Sequence, residues 1–215
     1  MALVFYHYVH CPFCLRVRMA CGYLGKSFQS RVLAYDDEDT PIKLSGKKML
    51  PIMEIDGVAI NESLEIVARI DDHNKLQIKT QTELPEFKEF EKILNNLGNF
   101  IHSLAMPYWI YTPEFNDKSR KYFQLKKEEK RGPFSELYQQ RKKFAKELKP
   151  LLDNISKDLR PYYRSESFSL YDIMLASHLW GLYVVPEFQF SPEMHEYLQN
   201  VGSLCSFDYH QDFWS

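Results

Sequence analysis

The chain has 215 residues, of which 45% are hydrophobic, 26% charged and 15% aromatic, and its formal net charge is -2. This composition is typical of a packed globular protein and is too apolar for intrinsic disorder. The balance of 27 basic and 29 acidic residues gives no chain-wide basic surface for nucleic acid, and the short apolar runs exclude a membrane span. The first residues show no secretory signal, so we expect a cytoplasmic protein.

The first seventy-odd residues predict alternating strands and helices, in the order βαβ and then ββα. Short apolar and aromatic segments indicate buried strands, and the dipeptide Asp56-Gly57 between the last two of them is a strong hairpin signal. The acidic segment 36–41 is interpreted as a turn, and Arg16 and Arg18 as polar insertions in the first helix. The predicted strands cover 3–8, 28–35, 50–55 and 58–60, and the predicted helices cover 12–24 and 63–71.

Beyond residue 73 the strand signals fade and helical periodicity dominates. We interpret the polar segment 74–84 as a linker, which places one domain at 1–73 and a second at 85–215. In the second domain, Pro85 is predicted to open a long helix, and a second helical region is predicted over 133–152. A third is predicted to begin near Ser169, where Ser169 and Asp172 fit a capping box. The sequence therefore predicts an α/β domain followed by a larger all-helical domain.

Two of the four cysteines form the motif Cys11-Pro12-Phe13-Cys14, between the first predicted strand and the first predicted helix. In a reducing compartment this spacing indicates redox or metal chemistry rather than a structural disulfide. Because Pro12 suits the first helical position, the sulfur of Cys11 faces unpaired backbone N–H groups and the positive end of the helix dipole. Both favour the thiolate, which is the nucleophile in disulfide exchange. We therefore predict Cys11 as the attacking thiolate and Cys14 as a less exposed resolving thiol.

Two further segments are predicted to face this motif. A proline at the start of the third strand, in Leu50-Pro51, removes a sheet donor and is explained by a cis peptide bond. In a thioredoxin-type arrangement this proline faces the Cys-x-x-Cys loop, and the Leu50 backbone offers an edge to a peptide-like thiol substrate. Glu62 and Ser63 open the next helix, where a hydroxyl suits a carboxylate and Glu62 suits an ammonium group. Together they predict a site for the γ-glutamyl end of glutathione, although such a pair alone is also an ordinary helix start.

These motifs resemble those of the glutaredoxins: CPFC after a strand, LPI at the third strand and ES at a helix start. The helical second half resembles the glutathione transferase fold, and the combination resembles the two-domain bacterial glutaredoxins of type 2. The stretches HCPFCLRVRM, SRKYFQLKKE and NISKDLR agree with this resemblance, which runs from residue 1 to about residue 180. Phe13 departs from it, since the familiar motif has tyrosine there.

The resemblance implies a thioredoxin-like N-terminal domain, a glutathione transferase-like helical domain and glutathione as the electron donor. It implies that mixed disulfides and protein disulfides are the substrates. We expect a monomer whose partners are glutathione and glutathionylated or disulfide-bonded proteins, with no nucleic acid and no membrane. The residues expected in the site are Cys11 and Cys14 for catalysis and Pro12, Phe13, Leu50, Pro51, Glu62 and Ser63 for glutathione binding.

Zinc is the main alternative for the motif, because His7 and His10 precede the cysteines, and two sulfurs with two imidazoles satisfy tetrahedral zinc. His7 lies within a predicted strand and Pro12 stiffens the loop, so that one centre is hard to reach. We therefore predict no metal site and expect His10 to pack beside the thiolate or to face solvent.

The remaining polar and aromatic features have ordinary interpretations. Cys21 follows Cys14 on the same helix and is expected in the core, whereas both packing and exposure stay open for Cys205. The basic segment 118–149 is interpreted as a solvated helix face, and the sequence leaves open whether it lies beside the cleft. The aromatic residues expected between the domains are Tyr108, Trp109 and Tyr111.

Three functions fit this sequence. The leading hypothesis is a glutathione-dependent thiol-disulfide oxidoreductase that uses the CPFC dithiol. A cysteine-type glutathione transferase or dehydroascorbate reductase is a second possibility, although such enzymes usually lack the second cysteine. A non-enzymatic scaffold that binds glutathione or an iron–sulfur cluster is the third.

Overall fold

The computed structural model describes residues 2–212, in which a four-stranded sheet with three helices precedes a helical region. This confirms the predicted α/β domain followed by an all-helical domain. The strands are β1 (Leu3–His7), β2 (Gln29–Val32), β3 (Ile52–Ile55) and β4 (Val58–Ile60). The helices are α1 (Pro12–Tyr23), α2 (Asp39–Ser45), α3 (Ser63–Ile70), α4 (Ile78–Glu83), α5 (Pro85–Trp109), α6 (Asp117–Arg131), α7 (Phe134–Gln139), α8 (Arg141–Lys157), α9 (Leu170–Leu179) and α10 (Pro192–Leu204), with a 3-10 turn at Trp180–Leu182.

The sheet has the order β2-β1-β3-β4, in which β1 pairs in parallel with β2 and antiparallel with β3, and β3 pairs antiparallel with β4. The helix α1 makes the crossover between the two parallel strands. The predicted hairpin joins β3 to β4, and both of its turn residues have positive φ, 50° at Asp56 and 85° at Gly57. These angles are those of a type I′ turn, for which a glycine at the second position is well suited.

Three sequence-based expectations for the first half need correction. The segment 36–41 is not only a turn, because α2 begins at Asp39. The proline at position 41 is compatible with the first turn of a helix. The helix ends at Gly46, whose φ is 75°. The predicted strand 28–35 shortens to Gln29–Val32, and the observed order is βαβαββα. The polar segment interpreted as a linker contains the short helix α4.

In the helical half, Pro85 opens α5 as expected, and α7 and α8 divide the region predicted over 133–152. Before α9, Ser169 and Asp172 form the predicted capping box. The buried Asp172 carboxylate also accepts hydrogen bonds from the Tyr163 backbone at 2.8 Å and from the Tyr197 hydroxyl at 3.0 Å. The capping residue therefore also ties α9 to α10 and to the loop before it.

Residues Cys14–Cys21 of α1 are buried on all sides, and the helices α3, α9 and α10 pack against α1. Its two arginines, interpreted from the sequence as polar insertions, are buried as well: Arg16 is 4% and Arg18 is 9% exposed. Arg18 is neutralised by Asp212, with Nη1 and Oδ2 2.7 Å apart. Both halves of the chain thus pack around α1.

The contact of α1 with the end of α10 depends on Gly22. A Cβ atom at this position would lie 1.7 Å from the backbone oxygen of Cys205, so the two segments would have to separate. We expect Gly22→Ala to destabilise the fold by about 1–3 kcal/mol or more, the usual range for overpacking. The measurement is the free energy of unfolding in urea.

Gly98→Ala is the matched control, because Gly98 is also helical and a Cβ there would meet nothing closer than 3.9 Å. We expect this variant to be more stable by about 0.5–1 kcal/mol, through the higher helix propensity of alanine. Equal stabilities of the two variants would contradict the proposed close approach at Gly22.

Candidate active site

Cys11 is the N-cap residue of α1, with Pro12 at the first helical position as predicted. It follows the carboxyl end of β1 and is partly exposed, while its backbone oxygen accepts the first helical hydrogen bond, from Leu15 N at 3.0 Å. A helix N-terminus carries unpaired backbone N–H groups and partial positive charge. The fold therefore places this sulfur where an anion is stabilised.

The pKa of Cys11 is lowered to about 6. The largest cause is a hydrogen bond from the thiol of Cys14. Burial acts in the opposite direction and raises the pKa. The charge of His10 and the backbone N–H groups of Phe13 and Cys14 lower it further. At neutral pH Cys11 is therefore mainly a thiolate, the form that attacks disulfides.

Cys14 is fully buried and accepts a hydrogen bond from the Tyr8 backbone N–H, with 3.4 Å between nitrogen and sulfur. Burial raises its pKa well above the ordinary value, and the hydrogen bond to Cys11 and the negative charge of that sulfur raise it further. Cys11 is thus the more exposed and the more acidic of the two thiols, as the sequence predicted.

His10 packs beside the thiolate and is buried, so the alternative of a solvent-facing ring is excluded. Its backbone N and its Nδ1 lie 3.0 Å and 2.5 Å from Oε1 of Glu114, which belongs to the turn between α5 and α6. Burial raises the pKa of Glu114, but the hydrogen bonds and charge of His10 lower it by more. No local sequence signal indicates Glu114, because it lies 104 residues from its partner.

The strand register brings the other predicted segments to the same edge of the sheet. Because Tyr6, near the end of β1, pairs with Ile52, the preceding Leu50 and Pro51 lie beside the start of α1. Ile60 pairs with Met53, so the residues that follow β4 reach that edge as well. The Leu50–Pro51 peptide bond is cis, as predicted.

At the start of α3, Glu62 is exposed and Ser63 is buried. The Ser63 hydroxyl accepts a hydrogen bond from Arg16 Nη1 at 3.0 Å, so its own proton remains to be donated. Arg16 also lies 5.0 Å from the centre of the Phe13 ring, which is 47% exposed. Burial lowers the pKa of Arg16 to about 10, and the charge of Cys11 opposes this effect. This arginine therefore remains cationic at neutral pH, and the sequence motif did not indicate its position between Cys11 and Ser63.

The basic segment does approach the site. Its first helix, α6, buries Phe123 completely and is therefore not a purely solvated face. Burial lowers the pKa of Lys127, and the charge of Cys11 opposes this effect. Across the domain boundary, Lys48 Nζ lies 2.9 Å from the Tyr122 hydroxyl and 3.0 Å from Glu38 Oε1.

The residues that were interpreted as structural have the following positions. Cys21 and Cys205 are buried, and burial raises the pKa of each to about 12. Trp109 is buried between the domains against His10, with ring centres 5.2 Å apart, whereas Tyr111 is 71% exposed and is not in the interdomain core. Tyr108 is half-buried within the helical domain, where its hydroxyl lies 3.4 Å from Glu187.

The histidines of the zinc alternative are occupied by other contacts. His7 Nε2 lies 2.8 Å from the Ser30 hydroxyl, and burial and the charge of Arg18 lower the pKa of His7 to about 4. Among residues 2–212, no group of three or more His, Cys, Asp or Glu side chains is arranged to hold a metal ion. In the same range, no helix is long and apolar enough to cross a membrane.

The lowered pKa of Cys11 predicts selective alkylation of the native protein. We expect the rate of modification by iodoacetamide to rise with pH with a midpoint near 6, because only the thiolate reacts. Mass spectrometry should locate the label on Cys11, while Cys21 and Cys205 stay unmodified. A midpoint near the ordinary thiol value of about 8.5 would contradict this interpretation.

Two family models match this chain. Residues 10–73 match the family model "Glutathione S-transferase, N-terminal domain", and residues 89–211 match "Glutaredoxin 2, C terminal domain". Glutaredoxin 2 of Escherichia coli strain K12 is 30% identical over 209 residues, which cover 92% of this chain and 93% of that protein.

Solved structures agree. Glutaredoxin 2 from Salmonella typhimurium in complex with glutathione has a TM-score of 0.84 and 26% identity, over 97% of this chain and 96% of that one. A glutathione S-transferase from Rhodospirillum rubrum F11 shares the fold, with a TM-score of 0.66, 16% identity and coverage of 94% and 88%. The thiolate at the start of α1, the thioredoxin-like sheet and the matching helical domain all agree, and the chain belongs to the glutaredoxin 2 family, as a glutathione-dependent oxidoreductase.

Proposed function

We propose that this enzyme reduces protein–glutathione mixed disulfides and protein disulfides, with Cys11 as the nucleophile and glutathione as the electron donor. The observation that carries this proposal is the unequal pair of thiols: a partly exposed Cys11 with a pKa near 6, hydrogen-bonded to a buried Cys14 with a raised pKa. An attacking and a resolving thiol need this difference.

In the monothiol reaction, the Cys11 thiolate attacks the glutathione sulfur of a mixed disulfide. The bond between the protein sulfur and glutathione breaks, and the protein thiolate leaves and takes a proton from water. The thiolate of a second glutathione then attacks the glutathione sulfur bound to Cys11. This step releases glutathione disulfide and restores the Cys11 thiolate, so one free glutathione is consumed as the reductant and the glutathionyl group of the substrate becomes the other half of the glutathione disulfide.

In the dithiol reaction, Cys14 replaces the second glutathione. Once Cys11 is joined to a substrate sulfur, it no longer carries the negative charge that raises the pKa of Cys14. Cys14 then loses its proton more readily and attacks the Cys11 sulfur, which forms the Cys11–Cys14 disulfide and releases the substrate thiol. Two glutathione molecules reduce this disulfide. The first step thus prepares the second electrostatically.

We propose that glutathione binds across the edge of the sheet beside Cys11. The backbone of Leu50, before the cis Pro51, pairs with the peptide part of glutathione, and Pro12 and Phe13 border its sulfur. At the start of α3, Ser63 donates its hydroxyl proton to the γ-glutamyl carboxylate, and the exposed Glu62 carboxylate accepts from the ammonium group. The complex of Salmonella glutaredoxin 2 with glutathione supports this assignment of the ligand.

Replacement of the two thiols separates the reactions. We expect Cys11→Ser to abolish reduction of a glutathionylated peptide, because a serine hydroxyl is not ionised at neutral pH. We expect Cys14→Ser to retain this activity and to lose reduction of an intramolecular protein disulfide. The measurement is single-turnover release of the peptide thiol, with Cys21→Ala as the control that removes a thiol outside the site. Full activity of Cys11→Ser would overturn the proposed function.

The glutathione site is tested separately. We expect Glu62→Gln and Ser63→Ala each to raise the KM for glutathione by about tenfold, because each removes a hydrogen bond to a charged group of the ligand. Glu65→Gln is the matched control, since Glu65 is an exposed carboxylate in the first turn of the same helix. The pH midpoint of Cys11 alkylation should not change. An unchanged KM in both variants would refute the assigned site.

The transferase alternative predicts a different reaction. A transferase adds the glutathione sulfur to an electrophile and has no use for a second, buried thiol such as Cys14. We expect negligible conjugation of glutathione to 1-chloro-2,4-dinitrobenzene by an enzyme preparation that is fully active on glutathionylated peptide. The glutathione S-transferase from Rhodospirillum is 16% identical to this chain, so the resemblance between them concerns the fold alone.

A further inference from the structure

One buried contact joins the helical domain directly to the residue before the nucleophile. Oε1 of Glu114 lies 3.0 Å from the backbone N and 2.5 Å from Nδ1 of His10, and both residues are buried, at 3% and 6% exposure. An ionised carboxylate is only an acceptor, so Nδ1 carries the proton and donates it. The two hydrogen bonds thereby fix the imidazole in one orientation.

Aromatic rings surround this pair and keep water away from it. The ring centres of Tyr8, Tyr35, Trp109, Phe115 and Phe123 all lie between 5.2 and 5.5 Å from that of His10. In such surroundings an imidazolium is costly unless a negative group accompanies it, and its field reaches neighbouring groups with little screening. Glu114 provides that negative group.

We propose that Glu114 is a positioning residue for the nucleophile: through its hydrogen bonds it orients His10 and holds the positive charge of this imidazole beside the Cys11 sulfur. The inference rests on the proposed function, in which Cys11 is the reactive thiolate. It assigns a chemical role to the helical domain, because Glu114 belongs to that domain whereas the Cys-x-x-Cys motif lies in the N-terminal domain.

Other titratable groups act on the same atoms and must be distinguished from Glu114. His7 and His102 interact electrostatically with Glu114 and His10, respectively. The groups that interact with Cys11 are Tyr8, Cys14, Arg16, Tyr35 and Lys127. Arg16, whose pKa is lowered to about 10, is a cation near neutral pH, so it stabilises the thiolate whether or not Glu114 is present.

The direct and the indirect effects of Glu114 on Cys11 have opposite signs. Through space, a carboxylate disfavours a nearby thiolate, so its removal would lower the pKa of Cys11. Through its hydrogen bonds to His10, the carboxylate holds a positive charge that favours the thiolate close to the sulfur, so its removal would raise that pKa. The direction of the change therefore shows which effect dominates, and a residue that only joins the domains would produce neither.

The test is Glu114→Gln, whose amide oxygen still accepts from Nδ1 but carries no charge. We expect the pH midpoint of Cys11 alkylation to rise by about one unit, which corresponds to a rate about tenfold lower at a pH below both midpoints. The control is Glu187→Gln, which removes a carboxylate that pairs with Arg141 inside the helical domain, at 3.1 Å; its midpoint should equal that of the unaltered protein.

His10→Gln completes a double-mutant cycle and gives a result even if Glu114→Gln does not fold. We expect His10→Gln to raise the midpoint by a similar amount, and Glu114→Gln to cause no further rise in that background, because the effect passes through His10. An unchanged or lowered midpoint in Glu114→Gln, or an unchanged midpoint in His10→Gln, would overturn this inference. If the label appears on a cysteine other than Cys11, the proposed function itself fails.

Discussion

The structure depends on holding one negative charge, the Cys11 thiolate, at a position that is only partly exposed to water. Loss of hydration disfavours an ionised sulfur, and here several groups compensate for it: the thiol proton of Cys14, the positive charge of His10 and the N–H groups at the start of α1. None of these acts from a distance. Each must lie within a few ångströms of one sulfur atom, so the strand, the loop and the helix around it have little positional freedom.

This requirement explains why α1 is buried on all sides. A helix covered by the sheet alone would leave its second face in solvent, where water would screen the charges around its N-terminus. In this chain α9 and α10 pack against α1, and the end of α10 approaches α1 closely enough to require Gly22. The helical domain is therefore part of the environment of the thiolate and not an appendage.

Much of the fold could be predicted from the sequence because its signals are local. The Cys-x-x-Cys motif with Pro12, the Asp56-Gly57 turn and the Ser169–Asp172 capping box each depend on a few adjacent residues, and each was found where expected. The predictions that were wrong rest on local signals that are compatible with two different structures. An acidic segment with a proline is typical of a turn, but it also suits the first turn of a helix such as α2.

What the sequence by itself determined is the placement of the two thiols: which one precedes the first helix, which one lies a turn further in, and that a sheet domain carries them before a helical one. Only the tertiary structure decided what surrounds the Cys11 sulfur. Arginine is usually solvated, yet Arg16 is buried beside Ser63; Glu114 lies in no motif, yet it holds His10. The physical reason is that burial and electrostatic pairing depend on distances in space, and the partners concerned lie 47 and 104 residues apart along the chain.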